Sequence, residues 1–346
     1  MENFGLSMVN SNKQAEKERV VPLGYESIPP QNWLLTNRDL DYRDFYLWRD
    51  FALELVPNMK RLKEESKEVK NESRYHNSPK DFDDYFIQPF DKMKNALANI
   101  LLRTDFAEHV AKGEYSYLLG EDSSGRIPTL LLKEVIDTLA ESSDQQKPEV
   151  RFYAGLRDPD TFDEVKKDDA RFLELKGKWE EGIEDFIKKI KFGLPPSAQD
   201  RILLCTDVIG SGVSMRNIAN ILEKYQIDFD IVTFGSTKRG LDSLLGHRVF
   251  NGRLWQDDLN ESLRGNYLMS GVWKEQGDVH AHSIRVDSPE QSKDECRENV
   301  REDLAKLIAP QDSMKLSRDL AKFVGANVAQ AFLDYKAGKF ELPKKD

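Results

Sequence analysis

Short, continuously apolar runs alternate with segments of helical period through the middle of this chain, and no other feature restricts its fold as much. EYSYLL (114–119), VRFYAGL (150–156), RILLCTDV (201–208) and FDIVTFG (229–235) are the runs. IPTLLLKEVIDTLA (127–140) and MRNIANILEKYQ (215–226) carry the helical spacing between them. Runs of three to seven residues rich in Val, Ile, Leu and Phe fit strands whose two faces are both covered. Parallel neighbours need a crossover, and helices supply it. The expected fold is therefore α/β, with an open, mostly parallel sheet.

The flanks read differently. Residues 1–40 form a proline-bearing, irregular lead-in, and 41–75 begin with helical spacing before turning almost wholly charged. A turn at HNSPKD precedes a further helical stretch, which Pro89 interrupts or starts. We read 1–99 as a mainly helical N-terminal region and 100–245 as the α/β core. The core carries a charged, helical insertion at about 158–196. Residues 246–346 read as variable loops and short strands followed by C-terminal helices.

Hydrophobic residues make up 39% of the 346, enough for a full core. The net charge of -10 leaves no extended positive field, which argues against general nucleic-acid or membrane-surface binding. A local anion pocket remains compatible with it. Of the two cysteines, Cys205 lies inside an apolar run and Cys296 in a charged segment, so no disulfide framework is expected. The first twenty residues contain no continuous apolar stretch, and a cytoplasmic protein without signal peptide or spanning helix is expected.

Ligands of open parallel sheets bind beyond the carboxyl ends of the strands, and two strand–loop–helix passages place chemistry there. In the first, Asp207 ends an apolar run and Gly210, Ser211, Gly212, Val213 and Ser214 lead into a helix. Backbone N–H groups of such a loop converge on an anion, aided by the helix N-terminus. Ser211 and Ser214 add hydroxyl donors. Asp207 would repel a phosphate and suits sugar hydroxyls or a divalent ion instead. In the second, Glu121, Ser123, Ser124, Gly125 and Arg126 follow a strand. Arg126 is a candidate to neutralise a diphosphate, with Ser123 to Gly125 wrapping it. Neither passage is a Walker A loop or a dinucleotide fingerprint.

The stretch LLCTDVIGSGVS (203–214) resembles the phosphoribosyl-diphosphate (PRPP) binding motif of type I phosphoribosyltransferases, and 120–126 resembles that family's diphosphate loop. The resemblance covers roughly 100–240. It implies the family's open, mostly parallel sheet, with helical regions added at both ends of the chain. It implies that Asp207 holds the ribose hydroxyls, that Gly210 to Ser214 cradle the 5′-phosphate, and that Mg²⁺ accompanies PRPP as substrate. Asp207 and Arg126 would be the residues closest to the chemistry, Asp207 also being the metal contact. Thr206 stands where the family has a first acidic residue, so the metal–PRPP complex should bind more weakly or differently. The implied activity is transfer of phosphoribosyl to a nitrogenous acceptor, a glycosyl transfer in nucleotide metabolism. A non-catalytic sensor of PRPP or of a nucleotide phosphate, or an interaction protein, is the alternative, and a homodimer is compatible with either.

Several further residues carry two readings. Lys188, Lys189 and Lys191 either approach a bound diphosphate or form the wet face of a helix whose other side is Phe186, Ile187 and Ile190. Trp255, Tyr267 and Trp273 are either stacking platforms for a base or packing residues. Asp278, His280 and His282 would share one side of a strand and suggest a metal, although no third strong ligand has local spacing.

Overall fold

The computed structural model describes residues 61, 64, 88–122, 124–156, 170–193, 201–255, 272–273, 277–283 and 310–339. In chain order these form α1 (Gln88–Arg103), α2 (Phe106–Ala111), β1 (Tyr115–Asp122), α3 (Arg126–Ser142), β2 (Glu149–Ala154) and α4 (Ala170–Gly193). There follow β3 (Arg201–Ile209), α5 (Val213–Lys224), β4 (Phe229–Thr237), α6 (Lys238–Asp242), β5 (Val249–Asn251) and β6 (Leu254–Trp255). A two-residue pair, β7 (Val272–Trp273) and β8 (His282–Ser283), precedes the long helix α7 (Pro310–Lys336).

The main sheet is parallel throughout and runs β2-β1-β3-β4-β5, with β6 continuing along β4 beyond β5. Its strands are the apolar runs of the sequence. Period-two alternation sends successive side chains to opposite faces. Ile202 and Leu204 enter one core with Tyr117, Leu119, Tyr153 and Ile231, under α4 and α5. Leu203 and Cys205 enter the other with Leu118, Val232 and Phe234, under α1, α2, α3 and α7. The result is a mostly parallel sheet flanked by N- and C-terminal helical regions, an α/β architecture of the phosphoribosyltransferase-like kind.

The terminal helices belong to the second layer. Pro89 lies in the first turn of α1, where its missing N–H costs no helical bond. Phe90, Met93, Leu97 and Ile100 of α1 are fully buried, as are Leu316, Leu320 and Val328 of α7. Asn99 Nδ2 donates to the Gly252 carbonyl at 2.8 Å and fastens α1 beyond β5. On the opposite face Trp179 of α4 is wholly buried and donates from its indole N–H to the Ala154 carbonyl at 2.7 Å.

A buried carboxylate fixes the amino ends of the strands. Asp230 of β4 accepts from the Tyr115 hydroxyl of β1 at 2.9 Å and from Arg201 of β3 at 3.0 Å. Arg248, just before β5, approaches it at 3.3 Å. Charge-assisted bonds of this kind link four strands at the end remote from the loops described next. Among the described residues, no helix is long and apolar enough to cross a membrane.

Candidate functional site

The strand order reverses direction at β1 and β3, the two central strands. From β1 the chain passes through α3 to β2 on one side, and from β3 it passes through α5 to β4 on the other. Their crossovers lie on opposite faces, so the loops diverge and leave a crevice at the carboxyl ends. A cleft of about 130 Å³ lies there, lined by Glu121, Ser124, Thr206, Asp207 and the continuous run from Val208 to Met215. The two passages that the sequence marked as separate loops thus meet at one place.

Close backbone approach brings them together. A Cβ on Gly125 would lie 2.5 Å from the Glu121 carbonyl oxygen and 3.3 Å from Thr206 Cα, so only glycine lets the first loop lie against β3. Across this contact the Ser124 hydroxyl donates to Asp207 Oδ1 at 3.1 Å. The second loop turns at Gly212, whose φ of 78° is left-handed, and enters α5. Thr237 steadies it from β4, donating to the Gly210 carbonyl at 2.6 Å and accepting from the Gly240 N–H at 3.0 Å. Ser211 Oγ accepts from the Val213 N–H at 3.4 Å. Ser214 donates to the Leu156 carbonyl at 2.7 Å, so its proton ties α5 to the segment after β2 and points away from an anion in the loop.

Glu121 and Thr206 share a sheet face because both continue the alternation of Leu119 and Leu204. The Thr206 hydroxyl lies 2.9 Å from Glu121 Oε2 and 3.3 Å from Asp207 Oδ1. It is buried and has one proton for two carboxylates. Glu121 Oε1 occupies the space above Gly155, where a Cβ would come within 2.1 Å of it. Tyr153, beside Glu121 on β2, has a buried hydroxyl without a hydrogen-bond partner among the described residues. Burial, with the charge of Glu121 added, holds that phenol well above its usual range. Burial likewise pushes the Cys205 thiol up to about 12, which leaves it protonated and chemically quiet.

Arg126 stands apart from the cleft. Asp122, one residue past Glu121, faces the other side of the sheet, and Arg126 pairs with it bidentately at 2.7 and 2.9 Å. The guanidinium also stacks 4.2 Å over the Phe152 ring. Asp122 is only 2% exposed, so this ion pair is part of the packing under α3. The four-residue spacing from Asp122 to Arg126 was the sequence signal for it. Ser123 lies outside the described residues.

The other candidates are placed as follows. Ile187 and Ile190 of α4 are buried, while Lys188 pairs with Asp185 and Lys191 donates to the Tyr225 carbonyl at 2.7 Å. Tyr225 follows the last turn of α5, whereas the cleft adjoins its first turn, so these two lysines lie at the wrong end to meet a ligand there. The 278–282 stretch is no continuous strand: among the described residues from 277 to 283 only His282 and Ser283 are strand, so Asp278 and His280 do not sit on one strand with His282. Asp278 pairs with Lys178 at 3.3 Å, and His280 meets the edge of Phe186. Among the described residues, no group of three or more His, Cys, Asp or Glu side chains is arranged to hold a metal. Trp255 and Trp273 lie on the short strands β6 and β7, and Tyr267 and Cys296 fall outside the described residues. Of all these residues, the pairing of Glu121 with Thr206 is the one that sequence reasoning missed. It depends on the register Gly120↔Cys205, which no spacing within the chain encodes. No protein-family model matches this chain, and no curated protein matches it in sequence.

Proposed function

We propose that the cleft binds a phosphoribosyl compound, and that the protein is a phosphoribosyltransferase-like enzyme acting on PRPP and a nitrogenous acceptor. One observation carries this reading: Asp207, the Gly210–Ser214 loop, Glu121 and Ser124 line a single cleft at the crossover point of a parallel sheet. The loop and the start of α5 suit the 5′-phosphate, and Asp207 suits ribose hydroxyls. In the reaction the bond from C1 to the diphosphate oxygen breaks, and diphosphate leaves with the electron pair. A bond from the acceptor nitrogen to C1 forms, and the nitrogen releases its proton to water. Carboxylates beside the ring favour the positive charge that develops there, and positioning supplies much of the remaining rate. A magnesium ion fits this donor set as a companion of the substrate: Mg²⁺ uses one or two carboxylates together with substrate phosphates, and Asp207 is the residue that would meet it.

A second reading, a PRPP or nucleotide-phosphate sensor without turnover, is favoured by Arg126. Its guanidinium is held bidentately by Asp122 on the other side of the sheet and stacks on Phe152, so it is engaged in the packing and not aimed at a leaving diphosphate. Calorimetric titration of PRPP with Mg²⁺, with EDTA and against Asp207→Asn tests the shared part. Saturable binding that weakens about tenfold in the variant is expected. No heat at millimolar PRPP with folded protein overturns both readings. Diphosphate release in an acceptor screen then separates enzyme from sensor.

A further inference from the structure

Helices α3 and α7 pack side by side on one face of the sheet, and at one point their backbones nearly touch. A Cβ on Gly325 of α7 would lie 2.6 Å from the Leu131 carbonyl oxygen of α3. Before that contact along α7, a groove of about 560 Å³ lies between the two helices. Leu130 of α3 and Met314 and Ala321 of α7 give it an apolar lining. Its charged members are four cations, Lys133, Lys315, Arg318 and Lys322, against two carboxylates, Glu134 and Asp319. Lys133 pairs with Asp137, and Lys315 with Asp319 at 2.9 Å. Arg318 and Lys322 are exposed, and neither has an ion-pair partner among the described residues. The chain as a whole carries -10, so this surplus of positive charge is a local feature, and screening beyond about 8–10 Å keeps it so.

We propose that this groove docks an amphipathic helix of a partner protein, acidic along one stripe and apolar along the next. Lys315, Arg318 and Lys322 stand three and four residues apart, so they form one stripe on α7, about 10 Å from end to end. Carboxylates at the same intervals on a partner helix meet that stripe, with Arg318 and Lys322 as the cations that no internal carboxylate holds. The partner's apolar stripe covers Leu130, Met314 and Ala321, as in other helix-in-groove complexes. The same lining decides against a nucleic acid. A phosphodiester backbone gains nothing from apolar side chains, is repelled by Glu134 and Asp319, and needs an extended positive field that a chain of -10 does not offer. The proposal stands apart from the phosphoribosyl reading, since none of these residues lines the cleft.

The probe is a fluorescein-labelled helical peptide with glutamates at i, i+3 and i+7 and leucines on the adjoining stripe, titrated with the full chain and read by fluorescence anisotropy. Saturable binding that weakens as salt is raised is expected. A peptide with glutamines for the glutamates, and another with serines for the leucines, should each bind about tenfold more weakly. Arg318→Glu combined with Lys322→Glu reverses two exposed charges. It is expected to lower affinity for the acidic peptide on the order of tenfold, with the urea midpoint close to wild type. Should the double variant fail to fold, Lys322→Glu alone is expected to lower that affinity severalfold. An acidic peptide that does not bind, or that binds the reversed protein equally well, overturns the proposal. Equal binding of the serine peptide, or of an oligoribonucleotide of the same charge, overturns it too, because the groove then collects anions of any kind. All of these outcomes leave the phosphoribosyl reading to its own titration.

Discussion

Gly125 carries more of the site than any charged side chain near it. The 2.5 Å approach of its missing Cβ to the Glu121 carbonyl is to backbone, which cannot swing aside as a side chain would. Gly125→Ala must push the first loop off β3 and pull Ser124 from Asp207. Overpacking of this sort costs about 1–3 kcal/mol. The variant should unfold at lower urea and lose ribose 5-phosphate affinity beyond what the stability loss explains. Wild-type affinity in a folded Gly125→Ala would show that the contact between loops is dispensable. At this scale the sequence was legible in types and opaque in directions. The residues lining the cleft were readable as loop residues at strand ends. That Asp122 would turn Arg126 away, and that Ser214 would spend its proton on Leu156, follow from strand parity and from the position of the chain after β2.

Helix α4 shows the same division among elements. Its apolar side was evident from Ile187 and Ile190, and the structure adds Trp179 and Ile183, all buried against the sheet. Where the helix lies along the sheet decides what its lysines can touch, and periodicity does not encode that. Lys188 and Lys191 stand beside Tyr225, the length of α5 away from the cleft, about 18 Å for its twelve residues. Replacing both by alanine should leave ribose 5-phosphate affinity within about twofold, the range of ordinary surface changes. A tenfold loss in that titration would mean that α4 reaches the ligand in a way this packing does not allow. Strands β1, β3 and β4 were legible because burial on both faces leaves an apolar run. The contribution of α1 and α7 to one helical layer was not, since nothing local in an amphipathic helix names its partner. The pair β7–β8 was equally hidden: two residues per strand is too short for any period to register.

For the whole molecule, buried weak acids tie stability to pH. Tyr115, at the amino end of the sheet, is raised above its ordinary 10.0 by burial and then by the charge and hydrogen bond of Asp230. Tyr153 is raised by burial and by Glu121, and Cys205 by burial from 9.0 to about 12. All three stay protonated in the folded state at pH values where the unfolded chain has released its protons. The folded state then binds more protons than the unfolded one, and stability falls as pH rises. Their contribution is intact below about pH 9 and erodes through 9 to 10 and above, at about 1.4 kcal/mol per pH unit for each group once its unfolded form is ionised. Tyr153→Phe isolates one of them. Its hydroxyl has no hydrogen-bond partner among the described residues, so removing it should leave stability at pH 7 equal or higher. The same change should flatten the decline above pH 10 by one group's share. Urea midpoints at pH 7, 9, 10 and 10.5 read both effects together. A variant that is weaker at pH 7 and declines as steeply as the wild type would mean that the phenol is satisfied in the fold and titrates no differently there than in the open chain.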